Sequence, residues 1–264
     1  MKANLLILLL FFMINFSFAQ SFNEVKKSAE QGDSRAQYNL GVKYSNGIGT
    51  LTDEKKALYW YKKSAEQGLA EAQLNLGAMY SKGIGTLTDK KKAFYLYKKS
   101  AEQGLKEAQL NLGGFYYKGK GTLTDKKQAF YWFKKSAEQG DAIAQHNLGF
   151  MYYTGEGMLT DKKQAFYWFK KSAEQGDATA QHNLGRMYFF GEGALTDKKR
   201  AFYWYKKSAE QGHAAAQFNL GLMYFRGEGT LIDKKQTAFW IRKSYENGFE
   251  EAKEYWDDNE LYKY

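Results

Sequence analysis

The heptapeptide Lys-Lys-Ser-Ala-Glu-Gln-Gly constrains the fold of this chain more than any other feature, because it returns at one fixed interval. A seventh, altered copy, Arg-Lys-Ser-Tyr-Glu-Asn-Gly, lies at 242–248. Self-similarity at a period of roughly 20–50 residues is typical of repeat architectures, in which each unit packs only on its neighbours. The sequence therefore predicts an array of short, similar repeats. The six intact copies, always 36 residues apart, occupy 26–32, 62–68, 98–104, 134–140, 170–176 and 206–212.

The first 19 residues differ from the repeats. An apolar run fills 5–18, and the small residues Ser17 and Ala19 stand where a signal peptidase accepts them. The run is short for a bilayer span, which takes ~20 residues. We expect 1–19 to be a secretory signal peptide, the mature chain to begin at Gln20, and the protein to be periplasmic or secreted. An uncleaved anchor is the alternative.

Charge and cysteine content bound the class of partner. The formal net charge is +10, and lysines recur in every repeat instead of forming a basic tail. A basic balance favours nucleic acid, an anionic membrane or an acidic protein, and export makes nucleic acid the poorest of the three. We expect a protein or peptide partner of acidic character, no nucleic acid and no stable membrane span. Without cysteine, packing alone must stabilise the exported chain.

Each repeat carries the signals of two helices. In the segment 53–88, Asp53 suits the N-cap of a first helix, helix A, whose apolar residues recur at i, i+3, i+4 and i+7. Gly68 suits its end, because glycine tolerates the left-handed conformation there. Helix B follows at once and ends at Gly83. The repeat is therefore predicted to be an αα-hairpin.

Stacked αα-hairpins form an α-solenoid, so the predicted class is all-α, with about seven hairpins at a period of 36 residues. Small residues such as Gly77 should let the helices approach closely. We expect Leu87, the one apolar residue at the end of its loop, to be tucked under the helices. The predicted divisions after the signal peptide are an N-terminal hairpin (20–52), five repeats (53–232) and a polar C-terminal capping hairpin (233–264).

Two patterns resemble a known family, the Sel-one-like repeat (SLR), over essentially all of 22–248. They are Ala-Gln-x-Asn-Leu-Gly-x-Met-Tyr-x-x-Gly-x-Gly and Ala-Phe-Tyr-Trp-Tyr-Lys-Lys-Ser-Ala-Glu-Gln-Gly. The related tetratricopeptide repeat has about 34 residues and usually a proline near its end, whereas this chain has no proline. The resemblance implies a right-handed superhelix, with A helices on the concave face and B helices on the convex face.

The same resemblance implies a scaffold for protein or peptide partners, and some exported bacterial members are similar to mediators of envelope or host interaction. A cysteine-rich branch is credited with β-lactam binding or hydrolysis. This chain lacks those cysteines, so that activity is not carried over.

The sequence contains no pattern of a catalytic site. In the mature chain there is no His-Glu-x-x-His, no Gly-x-Ser-x-Gly, no P-loop and no Ser-x-x-Lys. His146 and His182 occupy one position of adjacent repeats, where a shared metal is conceivable. The alternative is a position that tolerates any aromatic or apolar side chain. We predict no enzyme activity, no cofactor and no metal site.

The B helices separate into constant and variable positions. The positions of Ala36, Gln37, Leu40 and Tyr44 barely change, whereas positions 38, 42 and 45 vary freely. At 100° per residue the variable positions fall within about 60° of one another. We expect this side to face outward and to bind a partner; the alternative is that its rings pack on the next repeat. The residues of this B-helix stripe are Phe150, Tyr153, Arg186, Phe189, Phe218, Leu222 and Phe225.

The constant asparagine of the B helices, Asn39 and its copies, is predicted to hydrogen-bond loop backbone. Gripping the carboxylate of a partner is the alternative.

The A helices show a constant outward pattern of tyrosine and lysine. Such a basic, aromatic groove suits an extended acidic peptide or a polyanionic glycan. A solvated face left unchanged by recent duplication is the alternative. The favoured function is an exported, non-enzymatic scaffold; the alternatives are a polyanion- or glycan-binding surface protein and a β-lactamase-like envelope hydrolase. This A-helix groove comprises Tyr59, Lys62, Tyr95, Lys98, Tyr131, Lys134, Tyr167, Lys170, Tyr203 and Lys206.

Overall fold

The computed structural model describes residues 22–263, and every regular element in that range is a helix. The predicted signal peptide and its cleavage point therefore lie outside the described residues. Helix α1 covers 22–30. The B helices are α2 (Ser34–Asn46), α4 (Ala70–Lys82), α6 (Lys106–Lys118), α8 (Ala142–Thr154), α10 (Ala178–Phe190), α12 (Ala214–Arg226) and α14 (Glu250–Asp258). The A helices are α3 (Glu54–Glu66), α5 (Lys90–Glu102), α7 (Lys126–Glu138), α9 (Lys162–Glu174), α11 (Lys198–Glu210) and α13 (Lys234–Glu246), and a 3₁₀ turn (Leu261–Lys263) follows α14.

The helices form two compact units, an N-terminal unit that ends at Asp125 and a C-terminal unit that begins at Lys126. Within each unit every helix packs on the next one along the chain, and a B helix packs most extensively on the A helix that follows it. This sequential packing confirms the prediction of stacked αα-hairpins. None of the helices in the described part is long and apolar enough to cross a bilayer.

The predicted helix ends are confirmed. The side chain of Asp53 accepts a hydrogen bond from the backbone N–H of Lys56 at 2.9 Å, which caps α3. Gly68 (φ +94°) and Gly83 (φ +75°) hold the left-handed conformations that end α3 and α4. These caps let a connection of only a few residues turn the chain between helices.

The glycine of the Leu-Gly pair is the point of closest approach between helices. A Cβ atom on Gly185 would lie 2.8 Å from a ring carbon of Tyr205 on the next A helix, and one on Gly77 would lie 3.0 Å from the ring of Tyr97. The ring therefore packs directly on the backbone of the B helix. This confirms the predicted role of Gly77.

Buried hydrogen bonds explain why the serine and the glutamine of the heptapeptide recur. The hydroxyl of Ser64 is fully buried and donates to the carbonyl oxygen of Ser34, at the start of the preceding B helix, at 2.7 Å. Gln67 donates to the side-chain oxygen of Gln37 at 2.8 Å, and Gln37 donates to the carbonyl oxygen of Ala29 at 3.1 Å. Each A helix is thereby fixed to the B helix before it, since buried polar groups require partners.

The expectation that Leu87 is tucked under the helices is wrong: its side chain is 88% exposed. The N–H of Asp89 donates to the carbonyl oxygen of Tyr80 at 2.8 Å, which closes the loop on its own helix. Thr88 then packs against Gly83, so the preceding side chain points away from the protein. The equivalent leucines are 85–91% exposed: Leu51, Leu123, Leu159, Leu195 and Leu231.

Candidate functional site

The tyrosines and lysines of the A-helix groove face outward, as predicted. The tyrosines are 45–55% exposed. In the N-terminal unit the exposed residues are Tyr59 and Lys62 on α3 and Tyr95 and Lys98 on α5; in the C-terminal unit they are Tyr131, Lys134, Tyr167, Lys170, Tyr203 and Lys206 on α7, α9 and α11. Binding at these residues remains a prediction.

The charges of this surface are only partly balanced. Each lysine of the groove lies 3.8–4.0 Å from the glutamate four residues later, as in the pair Lys62–Glu66. The following lysine stacks on the tyrosine: Lys63 lies over the ring of Tyr59, and the five such distances are 4.7–5.8 Å. Exposed ion pairs of this kind contribute about 0–1 kcal/mol, so an incoming carboxylate can replace the glutamate.

A concave site of about 330 Å³ in the N-terminal unit is formed by two successive A helices, α3 and α5, and by the B helix α4 between them. Lys62 from α3 and Tyr95 from α5, both predicted, line it together with Lys92, Leu96 and Lys99. The last three were missed by the sequence reading. Lys99 could have been found, because it is the copy of Lys63, which stands beside the groove in every repeat. The lining carries three lysines and one acid, Glu66, so it has an excess of positive charge beside an exposed tyrosine ring. This makes it the candidate acidic-peptide site of the unit.

The B-helix stripe is less exposed than predicted. Phe150 and Phe225 are 38% and 37% exposed, whereas Tyr153, Arg186, Phe189 and Leu222 are half-buried. The outward orientation is wrong for Phe218, whose ring packs 5.3 Å from Phe249 and 5.7 Å from Tyr255. The position of Phe218 faces the residue before α14 and one turn of α14 itself, so its ring packs on the aromatic rings there.

Part of this stripe surrounds a second cavity, of about 200 Å³, between α10, α11 and α12. Arg186, Phe189 and Leu222 line it, as do Phe190 and Arg226, which were not predicted. The comparison of repeats could have found both. They occupy position 46 of the repeat, which holds Asn, Lys, Lys, Thr, Phe and Arg in turn and varies as freely as the three positions chosen.

The histidines are structural neighbours of aromatic rings. His182 stacks on His213 at 4.8 Å and tilts against Tyr205. Burial is the main cause that lowers the pKa of His182 to about 4, and the charge of Arg186 and repulsion from His213 on protonation add to it. His213 is half-buried, and its Nδ1 accepts a hydrogen bond from the N–H of Ala216, which caps α12. Among residues 22–263 no group of three or more His, Cys, Asp or Glu is placed to hold a metal.

Two of the constant asparagines, Asn183 and Asn219, hydrogen-bond a histidine and not the predicted loop backbone. Asn183 donates to Nε2 of His146 at 3.3 Å, and Asn219 donates to Nε2 of His182 at 3.1 Å. Both contacts join one B helix to the preceding B helix. The prediction was wrong because the asparagine faces the neighbouring repeat, not the loop.

Helical hairpins that repeat every 36 residues and pack in chain order define an α-solenoid protein. The Sel1 repeat family matches six successive segments, each beginning with a B helix, and the chain belongs to this family. Sel1 repeat proteins are generally scaffolds for protein–protein interaction. The matched segments are 34–69, 70–105, 106–141, 142–177, 178–213 and 214–249.

Similar proteins with solved structures include the following two. One is c5321, a protective antigen present in uropathogenic Escherichia coli strains that displays an SLR fold, with 37% identity and a TM-score of 0.85. The match covers 90% of this chain and 51% of that one, so this chain spans about half its length. The other is a Sel1 repeat protein from Oxalobacter formigenes (31% identity, TM-score 0.77, 93% and 74% covered). Comparison with curated proteins gives no match.

Proposed function

We propose that this chain is an exported, non-enzymatic scaffold that binds an acidic segment of a partner protein. The family supports the scaffold role, and the apolar N-terminal segment supports export. The similar protein c5321 is described as a protective antigen, which agrees with a location outside the cytoplasm. An envelope or host-interaction role is the form of this function that we favour.

The observation that carries the proposal is the cavity between α3 and α5. Lys62, Lys92 and Lys99 line it together with the half-exposed Tyr95, and Lys99 lies 4.7 Å from the centre of that ring. Glu66, the acid of the lining, pairs with Lys62 at 3.9 Å. Ammonium groups form charge-assisted hydrogen bonds with carboxylates, and a tyrosine ring supplies contact area at a low entropic cost. A peptide with acidic side chains fits this combination, because the three lysines outnumber the one acid of the lining.

The test is affinity capture from envelope and medium extracts with the immobilised protein. The variant Lys62→Gln/Lys99→Gln removes two charges at the cavity. The matched control Lys43→Gln/Lys82→Gln removes two charges from B helices of the same unit. We expect wild type and control to capture the same protein and the cavity variant to lose it. A protein captured equally by all three would place its binding elsewhere and contradict this site.

The same purified protein tests the two alternative functions, a polyanion- or glycan-binding protein and an envelope hydrolase. Salt-sensitive retention on heparin resin, lost when Lys62, Lys98 and Lys134 become Gln together, would favour a polyanion or glycan ligand if no protein is captured. Hydrolysis of a β-lactam or of peptidoglycan fragments by the purified protein would overturn the non-enzymatic part of the proposal.

A further inference from the structure

Arg186 departs from the pattern of the repeats. Its position holds Val42, Ala78, Gly114, Phe150 and, one repeat later, leucine. The arginine is therefore the one charged residue at that position among six nearly identical repeats. Packing does not require it, since uncharged side chains of several sizes occupy the equivalent places.

The guanidinium of Arg186 is half-buried and forms no direct ion pair among the described residues, although the carboxylate of Glu192 is near enough to interact with its charge. Its Cζ lies 4.5 Å from the centre of the Tyr153 ring, and its Nε is buried without a hydrogen-bond partner. In the described residues no carboxylate comes within ion-pair distance of it; the nearby Glu192 instead accepts from the hydroxyl of Tyr153 at 3.0 Å and pairs with Lys162 at 2.5 Å. A buried Nε–H without an acceptor is costly, and Glu192 is already engaged by Tyr153 and Lys162, so this group is suited to a ligand that supplies a carboxylate acceptor.

The cavity beside it has the matching chemistry. Arg226 lines it as a second cation without an ion-pair partner among residues 22–263, while the acid of the lining, Glu228, is paired with Lys198 at 3.4 Å. Two positive charges thus remain unbalanced. The aromatic rings of Phe189 and Phe190 form part of the wall. A ligand for this site has a negative group next to an apolar one.

We propose that the cavity between α10 and α12 binds a carboxylate carried beside an apolar side chain of a peptide, with Arg186 as the main contact and Arg226 as the second. The planar fork of arginine matches a carboxylate with two parallel hydrogen bonds. A volume of about 200 Å³ is below the roughly 300–1,000 Å³ of sites for drug-sized ligands, so it suits one or two side chains. The inference rests on the proposed function in taking a protein as the partner, but it concerns a different surface.

The carboxylate can come from the end of a chain or from an acidic side chain, and three fluorescein-labelled peptides distinguish the sources. The first is Gly-Ser-Gly-Ser-Phe-Leu with a free C-terminus, the second is the same peptide amidated, and the third is amidated Gly-Ser-Glu-Phe-Gly-Ser. Binding to the full protein is measured by fluorescence anisotropy. The variants are Arg186→Gln, Arg186→Lys and, as matched control, Lys82→Gln, which removes a charge at the repeat position of Arg226 in the other unit.

We expect the first or the third peptide to bind, the second to bind at least tenfold more weakly, and Arg186→Gln to weaken binding at least tenfold. Arg186→Lys should weaken it less, and Lys82→Gln should leave it unchanged. Melting curves that match wild type show that each variant folds. No binding by any peptide, or equal loss in Arg186→Gln and Lys82→Gln, would overturn the inference. Such a result would leave the proposal for the α3–α5 cavity intact, because partner capture tests that proposal independently.

Discussion

The same substitution at two leucines eleven residues apart should have opposite consequences. Leu184 on α10 is fully buried in the core of the C-terminal unit, against Tyr205 and Leu220 among others. Leu195 lies in the loop that follows the helix and is 91% exposed. Replacing each by alanine removes the same atoms, so only the environment differs between the two variants.

The magnitudes follow from burial. A buried Leu→Ala substitution costs about 2–5 kcal/mol, because it loses transfer free energy and leaves a cavity. We expect Leu184→Ala to reach about 3 kcal/mol or more, since the rings and helix backbones around it are in close contact and cannot collapse into the space. For Leu195→Ala we expect less than about 0.5 kcal/mol, as for other exposed positions.

Urea unfolding, followed by both tryptophan fluorescence and far-UV circular dichroism, measures the difference in the free energy of unfolding. Two probes are needed because arrays of repeats can unfold in parts, and only coincident curves justify one value. A cost above about 1 kcal/mol for Leu195→Ala would refute this reasoning, because the loop leucine would then be packed as the sequence first suggested.

Three further predictions concern packing, pH and export. Gly185→Ala should destabilise the protein by about 1–3 kcal/mol, because the new Cβ would clash with the ring of Tyr205. Gly114→Ala should stabilise it by about 0.5–1 kcal/mol, because nothing lies within 4 Å of the new Cβ. Equal effects of the two substitutions on the urea midpoint would contradict this. Because the pKa of His182 falls from 6.5 to about 4 on folding, the contribution of His182 to the free energy of unfolding is complete above pH 6.5 and is lost as pH falls towards 4. His182→Phe should remove this acid-sensitive part, which is on the order of 3 kcal/mol at most. Identical pH profiles of stability for wild type and variant would exclude this role of His182. N-terminal sequencing of protein recovered from the periplasm or medium should begin at Gln20, and a chain that retains Met1 in the membrane fraction would argue for the anchor.

The sequence predicted those features that depend on local backbone chemistry. Asp53 caps a helix and Gly83 ends one in a way that neighbouring residues alone determine. The close approach at Gly77 was also accessible, since a glycine in the middle of an amphipathic helix needs a packing reason.

Features that depend on the register between helices were not predicted. The bond from Ser64 to the backbone of Ser34 joins residues 30 apart in different helices, and no local pattern gives that pairing. The exposure of Leu87 also depends on tertiary detail, because it follows from a loop that closes on Tyr80. Apolar character alone favoured burial there, which is a tendency and not a rule.

The candidate sites show the same division. Comparison of the repeats placed the tyrosines and lysines of the A helices outside, and it placed Arg186 among the variable residues of the B helices. The comparison did not predict that Lys62 and Tyr95 line one cavity, or that Arg226 lines the same cavity as Arg186. These contacts depend on which faces of successive helices pack together, and the sequence of a single repeat does not determine that.

The most direct test of the central claim is zero-length carbodiimide cross-linking of the protein to its captured partner, with mass spectrometry of the linked peptides. This chemistry joins a lysine to a carboxylate only when the two are in contact. We predict links from Lys62, Lys92 or Lys99 to aspartate or glutamate side chains of the partner. Links confined to lysines outside the cavity, such as Lys43 and Lys82, would show that the acidic partner binds elsewhere and would contradict the account.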